Sequence, residues 1–287
     1  MCLTRGFAWR RVGNVHVKAT LAAIVALGVL AAGAADAAAR TFSAQSGGVQ
    51  ATLTYSGAAG NHTATNLRIV RNGATLQNAA PRVAFCGQGP CGPSGYQGDP
   101  PLRVADLDAD GEPEVVYSAF TGGAHCCSIA QVYRLSAGAT GYAVTEHGFG
   151  DPSFTLKDLN GDGRPEWLTR DDRFAYLYTA YAFSGLPIEI LRYDHGLFSD
   201  VTRSYPALVR RDATVWWRRY HRARNRTDGT QLGVVAAWAA DRYRLGKRKA
   251  ALRVLRREAA NGRLRAPGLH GARFVTRLDR FLLKHGY

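Results

Sequence analysis

Two acidic segments constrain this 287-residue chain more than any other feature of it. The first reads Asp106-Leu107-Asp108-Ala109-Asp110-Gly111-Glu112-Pro113-Glu114. The second begins 52 residues later, Asp158-Leu159-Asn160-Gly161-Asp162-Gly163-Arg164-Pro165-Glu166, and matches it position for position. Carboxylates this close in sequence repel one another unless a cation sits among them. Calcium takes about six to eight hard oxygens, which side chains at loop positions 1, 3 and 5 and a backbone carbonyl at position 7 can supply. On that count the first loop offers Asp106, Asp108, Asp110 and the Glu112 carbonyl, closed by the Glu114 carboxylate. The second offers Asp158, Asn160, Asp162, the Arg164 carbonyl and Glu166. The expectation is two calcium sites, with Gly111 and Gly163 making the sharp turns. Magnesium, which demands near-ideal octahedral geometry and keeps its waters, fits such loops less well.

An EF-hand places its closing Glu at position 12, where this chain has Tyr117 and Thr169, so these loops are not EF-hands. The residues that follow, Val115-Val116-Tyr117 and Trp167-Leu168, favour strands, and Pro113 and Pro165 suit a strand's first position. Each loop is therefore expected to join two strands.

These segments resemble the calcium loops of FG-GAP or VCBS repeats, the units of integrin-type β-propellers and of many exported bacterial proteins. Internal alignment extends the likeness: Glu114 to Tyr117 pairs with Glu166 to Thr169, and Val132-Tyr133-Arg134 with Ile190-Leu191-Arg192. The resemblance covers about residues 100–203 and implies a four-stranded unit per repeat. Propellers close with about four to eight blades, whereas residues 41–203 have room for about three units. An open, propeller-like β assembly follows, its exposed edge covered by N-terminal hairpins or by the C-terminal helices.

Residues 1–39 carry the three zones of an export signal: basic Arg5, Arg10, Arg11 and Lys18, an apolar run over 21–30, and the small-x-small triplet Ala35-Asp36-Ala37. An uncleaved anchor is the alternative, with an Ala/Gly-rich run short of the roughly 20 strongly apolar residues a span needs. Export places the chain in a secreted, periplasmic or cell-surface setting and favours two disulfides among Cys86, Cys91, Cys126 and Cys127. Connectivity stays open, with pairing across the two groups the easier arrangement because adjacent cysteines close on each other only through a strained peptide geometry. A zinc set including His125 is the alternative use of the same thiols.

Charge divides the chain. Residues 203–287 hold 22 Lys/Arg against 5 Asp/Glu, whereas 40–200 hold 11 against 16. An acidic, strand-rich body over 40–203 precedes a basic helical part over 204–287. In the body, alternation over 51–55 and the Asn72-Gly73 hairpin dipeptide signal strands, as do 115–119, 130–135 and 188–193. In the tail, Ser204 and Pro206 open a first helix and Gly246, Gly262 and Gly286 close three more.

No nucleophile motif and no phosphate-cradling glycine loop is present. The expected function is an exported calcium-binding, non-enzymatic binding or scaffold protein with an unidentified protein or glycan ligand. Its basic tail would meet anionic envelope polymers or lipid headgroups rather than nucleic acid. The alternative is a secreted hydrolase with structural calcium, for which a pocket gathering Asp171, Asp172 and His125 is the discriminating feature.

Overall fold

A computed structural model describes residues 39–58, 61–87, 91–94, 100–123 and 126–287. Apart from Ala39, the signal segment lies outside the described residues, as does His125.

The body is built from three four-stranded antiparallel meanders. The first comprises β1 (Arg40–Ser46), β2 (Val49–Ala58), β3 (Asn61–Arg71) and β4 (Ala74–Ala79), with Asn72-Gly73 turning β3 into β4 as expected. A two-residue strand, β5 (Gly92–Pro93), then joins the second sheet at one end of β7. That sheet contains β6 (Leu102–Ala105), β7 (Glu114–Gly123), β8 (Cys126–Leu135) and β9 (Tyr142–Gly150). The third contains β10 (Thr155–Lys157), β11 (Glu166–Arg170), β12 (Ile188–Asp194) and β13 (Leu197–Asp200). No closed barrel forms among the described residues, in keeping with the open arrangement expected.

Side-chain alternation explains how the sheets stack. On β7, Val115, Tyr117 and Ala119 point to the first sheet and pack with Val49, Leu53, Leu67 and Ile69. Val116 points the other way and, with Ala130 and Val132 of β8, packs against Trp167, Leu191 and Tyr193 of the third sheet. The middle sheet is thus covered on both faces, which is why residues 114–119 form an unbroken buried run rather than an alternating one.

The third sheet's outer face is covered by helices. Ile188 and Ile190 meet Tyr205 and Val209 near the start of α1 (Pro206–Ala223). The helices therefore cover a face of the β stack. Three more follow: α2 (Thr230–Arg244), α3 (Arg248–Ala260) and α4 (Gly271–Lys284), with a short hairpin of β14 (Arg265–Ala266) and β15 (Leu269–His270) before the last. Helix α2 is buried on all sides from Gln231 to Asp241 and forms the centre of the helical core. The 171–187 segment between β11 and β12 leaves the sheet and sends Phe174, Leu177, Tyr178 and Leu186 into that core. The described residues form one compact unit.

Buried polar groups tie sheet to helices. Asp212 of α1 accepts from Arg170 Nη1 at 2.7 and 2.8 Å, from the Ile188 amide at 2.9 Å and from Trp216 Nε1 at 2.8 Å. Arg244 of α2 donates to the Ile188 carbonyl at 2.9 Å and to Asp200 at 3.0 Å.

The cysteine expectation is corrected. The pairs are local, Cys86 with Cys91 and Cys126 with Cys127, instead of crossing between the groups. Cys86 ends a single 3-10 turn, Ala84–Cys86, and its Cα lies 5.7 Å from that of Cys91, inside the usual bridging range. Cys126 and Cys127 open β8, where Cys126 pairs with Gly123 across the hairpin.

Candidate metal centre

Each acidic loop closes a hairpin. The first spans from β6 to β7 with Ala105 opposite Glu114, and the second from β10 to β11 with Lys157 opposite Glu166. Their local frames coincide. The Gly111 amide donates to Asp106 Oδ2 at 3.0 Å and the Gly163 amide to Asp158 Oδ2 at 2.9 Å. The Glu112 amide donates to Asp110 Oδ1 and the Arg164 amide to Asp162 Oδ1, both at 2.9 Å. Glu114 and Glu166, each essentially inaccessible, fold back beneath their loops to accept the Leu107 amide at 2.9 Å and the Leu159 amide at 3.1 Å. Gly111 and Gly163 sit at φ of 86° and 84°, left-handed values that a side chain resists.

The contents of the two frames differ. In the first loop Asp106, Asp108 and Glu114 bring ligand oxygens within 4.8 Å of one another. The Asp108 side chain is wholly buried, and its Oδ1 and that of Asp106 are enclosed without a hydrogen-bond partner. A buried carboxylate oxygen with no donor is costly, and a divalent cation removes that cost. The other oxygen of Asp108 accepts the His195 amide at 3.0 Å, so the β12–β13 turn reaches over to the first loop. Asp108, Asp194 and His195 form a second group within 4.8 Å. There the His195 ring lies 2.8 Å from Asp194 Oδ1 and 3.6 Å from Asp108 Oδ2, and these carboxylates raise the ring's pKa, Asp194 most.

Burial pushes the Glu114 carboxyl up to about 8, with Asp108, Asp110 and Asp106 adding to the rise. The outer residues of the loop are engaged elsewhere. Glu112 makes a two-pronged pair with Arg71 of β3 at 2.6 and 2.7 Å, and Asp110 takes Arg134 Nη2 at 2.9 Å. Arg134 stands 3.5 Å from Asp108 and 3.9 Å from Glu114.

The second loop satisfies itself. Asp158 Oδ1 accepts the Gly161 amide at 2.7 Å and the Asn160 amide at 3.3 Å, and Asn160 Nδ2 donates to Asp162 Oδ2 at 2.8 Å. These bonds hold Asp158 and Asp162 below the usual carboxylate range: the Gly163 and Gly161 backbone amides act first on Asp158, the Asn160 side chain on Asp162. Arg192 of β12 reaches Glu166 Oε1 at 2.5 Å and Asp162 at 3.4 Å, while Arg164 turns outward to Asp194 at 3.2 Å. Among the described residues, the groups of three or more acidic or histidine ligands lie at the first loop.

Arg134 and Arg192 were visible in the sequence as aligned repeat positions, yet nothing in their spacing showed that each would turn into its own loop. Of the residues named for hydrolysis, His125 lies outside the described residues, and the two aspartates have partners of their own. Asp171 is buried and bound by Arg173 at 2.6 and 2.8 Å and by the Tyr287 hydroxyl, and Asp172 packs against Gly150. In the helical part Trp216, Tyr220 and Trp238 point inward, whereas Arg210, Arg218, Arg253, Arg256, Arg273 and Arg277 are exposed. No described helix is long and apolar enough to cross a membrane.

Comparison with known proteins finds partial relatives. A probable thylakoid lumen protein of Synechocystis sp. is 36% identical over 104 residues, 35% of this chain and 30% of the relative. An uncharacterized protein of Sinorhizobium fredii is 29% identical over 151 residues, 51% of this chain and 23% of the relative. The chain thus matches less than a third of the length of either. No family model matches, and no solved structure matches significantly.

Proposed function

We propose that this chain is an exported calcium-binding protein of the FG-GAP or VCBS type, non-enzymatic, acting as a binding or scaffold module. One observation carries the reading: Asp106, Asp108 and Glu114 converge within 4.8 Å, and Asp108 is fully buried with an oxygen that no described residue satisfies. An all-oxygen, carboxylate-rich donor set suits calcium better than a soft metal. Asp106, Asp108 and Glu114 would hold the ion, which would tie the β6–β7 turn to the strands beneath it.

Export is supported by the signal-like N-terminus and by the lumenal relative's name. The exposed arginines of α1, α3 and α4 would hold the molecule near an anionic envelope surface through a salt-sensitive attraction. The test is a thermal melt of the chain in chelator and in excess calcium. Calcium should raise the melting temperature because the convergent carboxylates exist only in the folded state. A melting curve indifferent to both additions would remove the calcium reading.

A further inference from the structure

One acidic loop frame is built twice in this chain and filled differently.

We infer that Arg192 acts as the resident cation of the second loop, so that the chain takes one divalent ion, at the first loop, rather than two. This rests on the calcium reading above and narrows it. The first loop carries five carboxylates, Asp106, Asp108, Asp110, Glu112 and Glu114, faced by Arg71 and Arg134. Arg71 is spent on Glu112, and Arg134 gives its hydrogen bond to Asp110 at 2.9 Å while standing 3.5 Å from Asp108 Oδ2 and 3.9 Å from Glu114, a looser hold than that of Arg192 on Glu166. The second carries three, Asp158, Asp162 and Glu166, and has Asn160 where the first has Asp108. Its closing carboxylate, wholly buried, is already bound by Arg192 at 2.5 Å.

Satisfaction follows the charge. Asp158 uses both oxygens on backbone amides, and Asn160 links its own side chain to Asp162. In the first loop the corresponding oxygen of Asp106 and one oxygen of Asp108 are enclosed and unbonded. An ion entering the second loop would have to displace a guanidinium from a buried carboxylate, and breaking such a pair is strongly unfavourable. An ion entering the first loop displaces no hydrogen bond to Asp108 Oδ1 or Asp106 Oδ1.

The test is calorimetric titration of the chain with calcium chloride, alongside Asp108→Ala, Asp158→Ala and Arg192→Gln. Wild type should bind one ion, Asp158→Ala one, Asp108→Ala none and Arg192→Gln two. Two ions in wild type, or loss of the single ion in Asp158→Ala, would overturn the inference while leaving calcium binding intact. No ion in wild type would overturn the calcium reading itself. A folded Arg192→Gln that still binds one ion would show that something other than this guanidinium keeps the second loop closed to metal. If that variant does not fold, the wild-type count and the Asp158→Ala result still decide.

Discussion

The two acidic loops share a backbone and differ in electrostatic completion. Both hang between antiparallel strands, both turn on a left-handed glycine and both fold a buried Glu beneath themselves. Yet one is left with enclosed, unbonded oxygens, and the other is closed by its own amides and by Arg192. The difference teaches that matching side chains at matching positions fix a loop's shape but not its occupant. An Asp-to-Asn exchange at position 3, and the reach of an arginine from the neighbouring strand, decide whether the frame requires something from solution.

The largest expected effect sets the closing glutamates against each other. In chelator, Glu166→Ala should lower unfolding free energy by about 3 kcal/mol, because it leaves Arg192 without its buried partner. Glu114→Ala should cost about 1 kcal/mol, since it loses one amide bond and relieves like-charge crowding. Equal losses in denaturant titrations would break the comparison. In calcium at about a hundredfold excess over its dissociation constant, wild type should gain about 2.7 kcal/mol, a gain that Asp108→Asn should lack.

A carboxylate outside both loops sharpens the contrast. Burial, with Asp171 adding to it, pushes Glu189 of β12 up to about 7, from 4.5 for an ordinary glutamate. The native chain then holds a proton that the unfolded chain releases between these values. The protonated form's stability is complete below about 4.5 and is lost as pH rises through about 7. Glu189→Gln should therefore raise the melting temperature above pH 7 and change little near pH 4, with or without calcium. The smallest effect belongs to Asp158→Ala, which should lower the metal-free melting temperature slightly and leave the calcium-induced rise unchanged. A loss of that rise would return the second loop to the status of a metal site.

Much of the fold was legible in the sequence because local signals agreed with tertiary need. Pro206 opens α1, the glycines at 246, 262 and 286 follow the ends of α2, α3 and α4, and Asn72-Gly73 makes the hairpin its chemistry favours. The buried run at 114–119 announced a strand but not that it would separate two other sheets, since periodicity cannot show what covers the second face. The loops' side-chain order was legible, and Asp106, Asp108 and Glu114 do converge. The roles of Arg134, Arg192 and His195 were not, because each arrives from a strand or turn whose register only the assembled sheets define. Disulfide pairing was hidden for a related reason: it depends on where the Cys86 turn and the start of β8 come to lie.

The excursion between β11 and β12 has a bearing on how such a chain can be inherited. Gly185 and Gly233 let this excursion lie directly on α2: a methyl group at Gly185 would stand 2.8 Å from the Gly233 carbonyl oxygen, and one at Gly233 would stand 2.8 Å from Thr179 Cγ2. Phe174, Tyr178 and Leu186 are thus encoded within the strands yet serve the helices. Genetic recombination that cut the chain near residue 203 would strip a wall from one product and expose greasy side chains on the other. Exchange that starts ahead of this excursion keeps these partners together, so the strand-to-helix junction is a poor seam for domain shuffling.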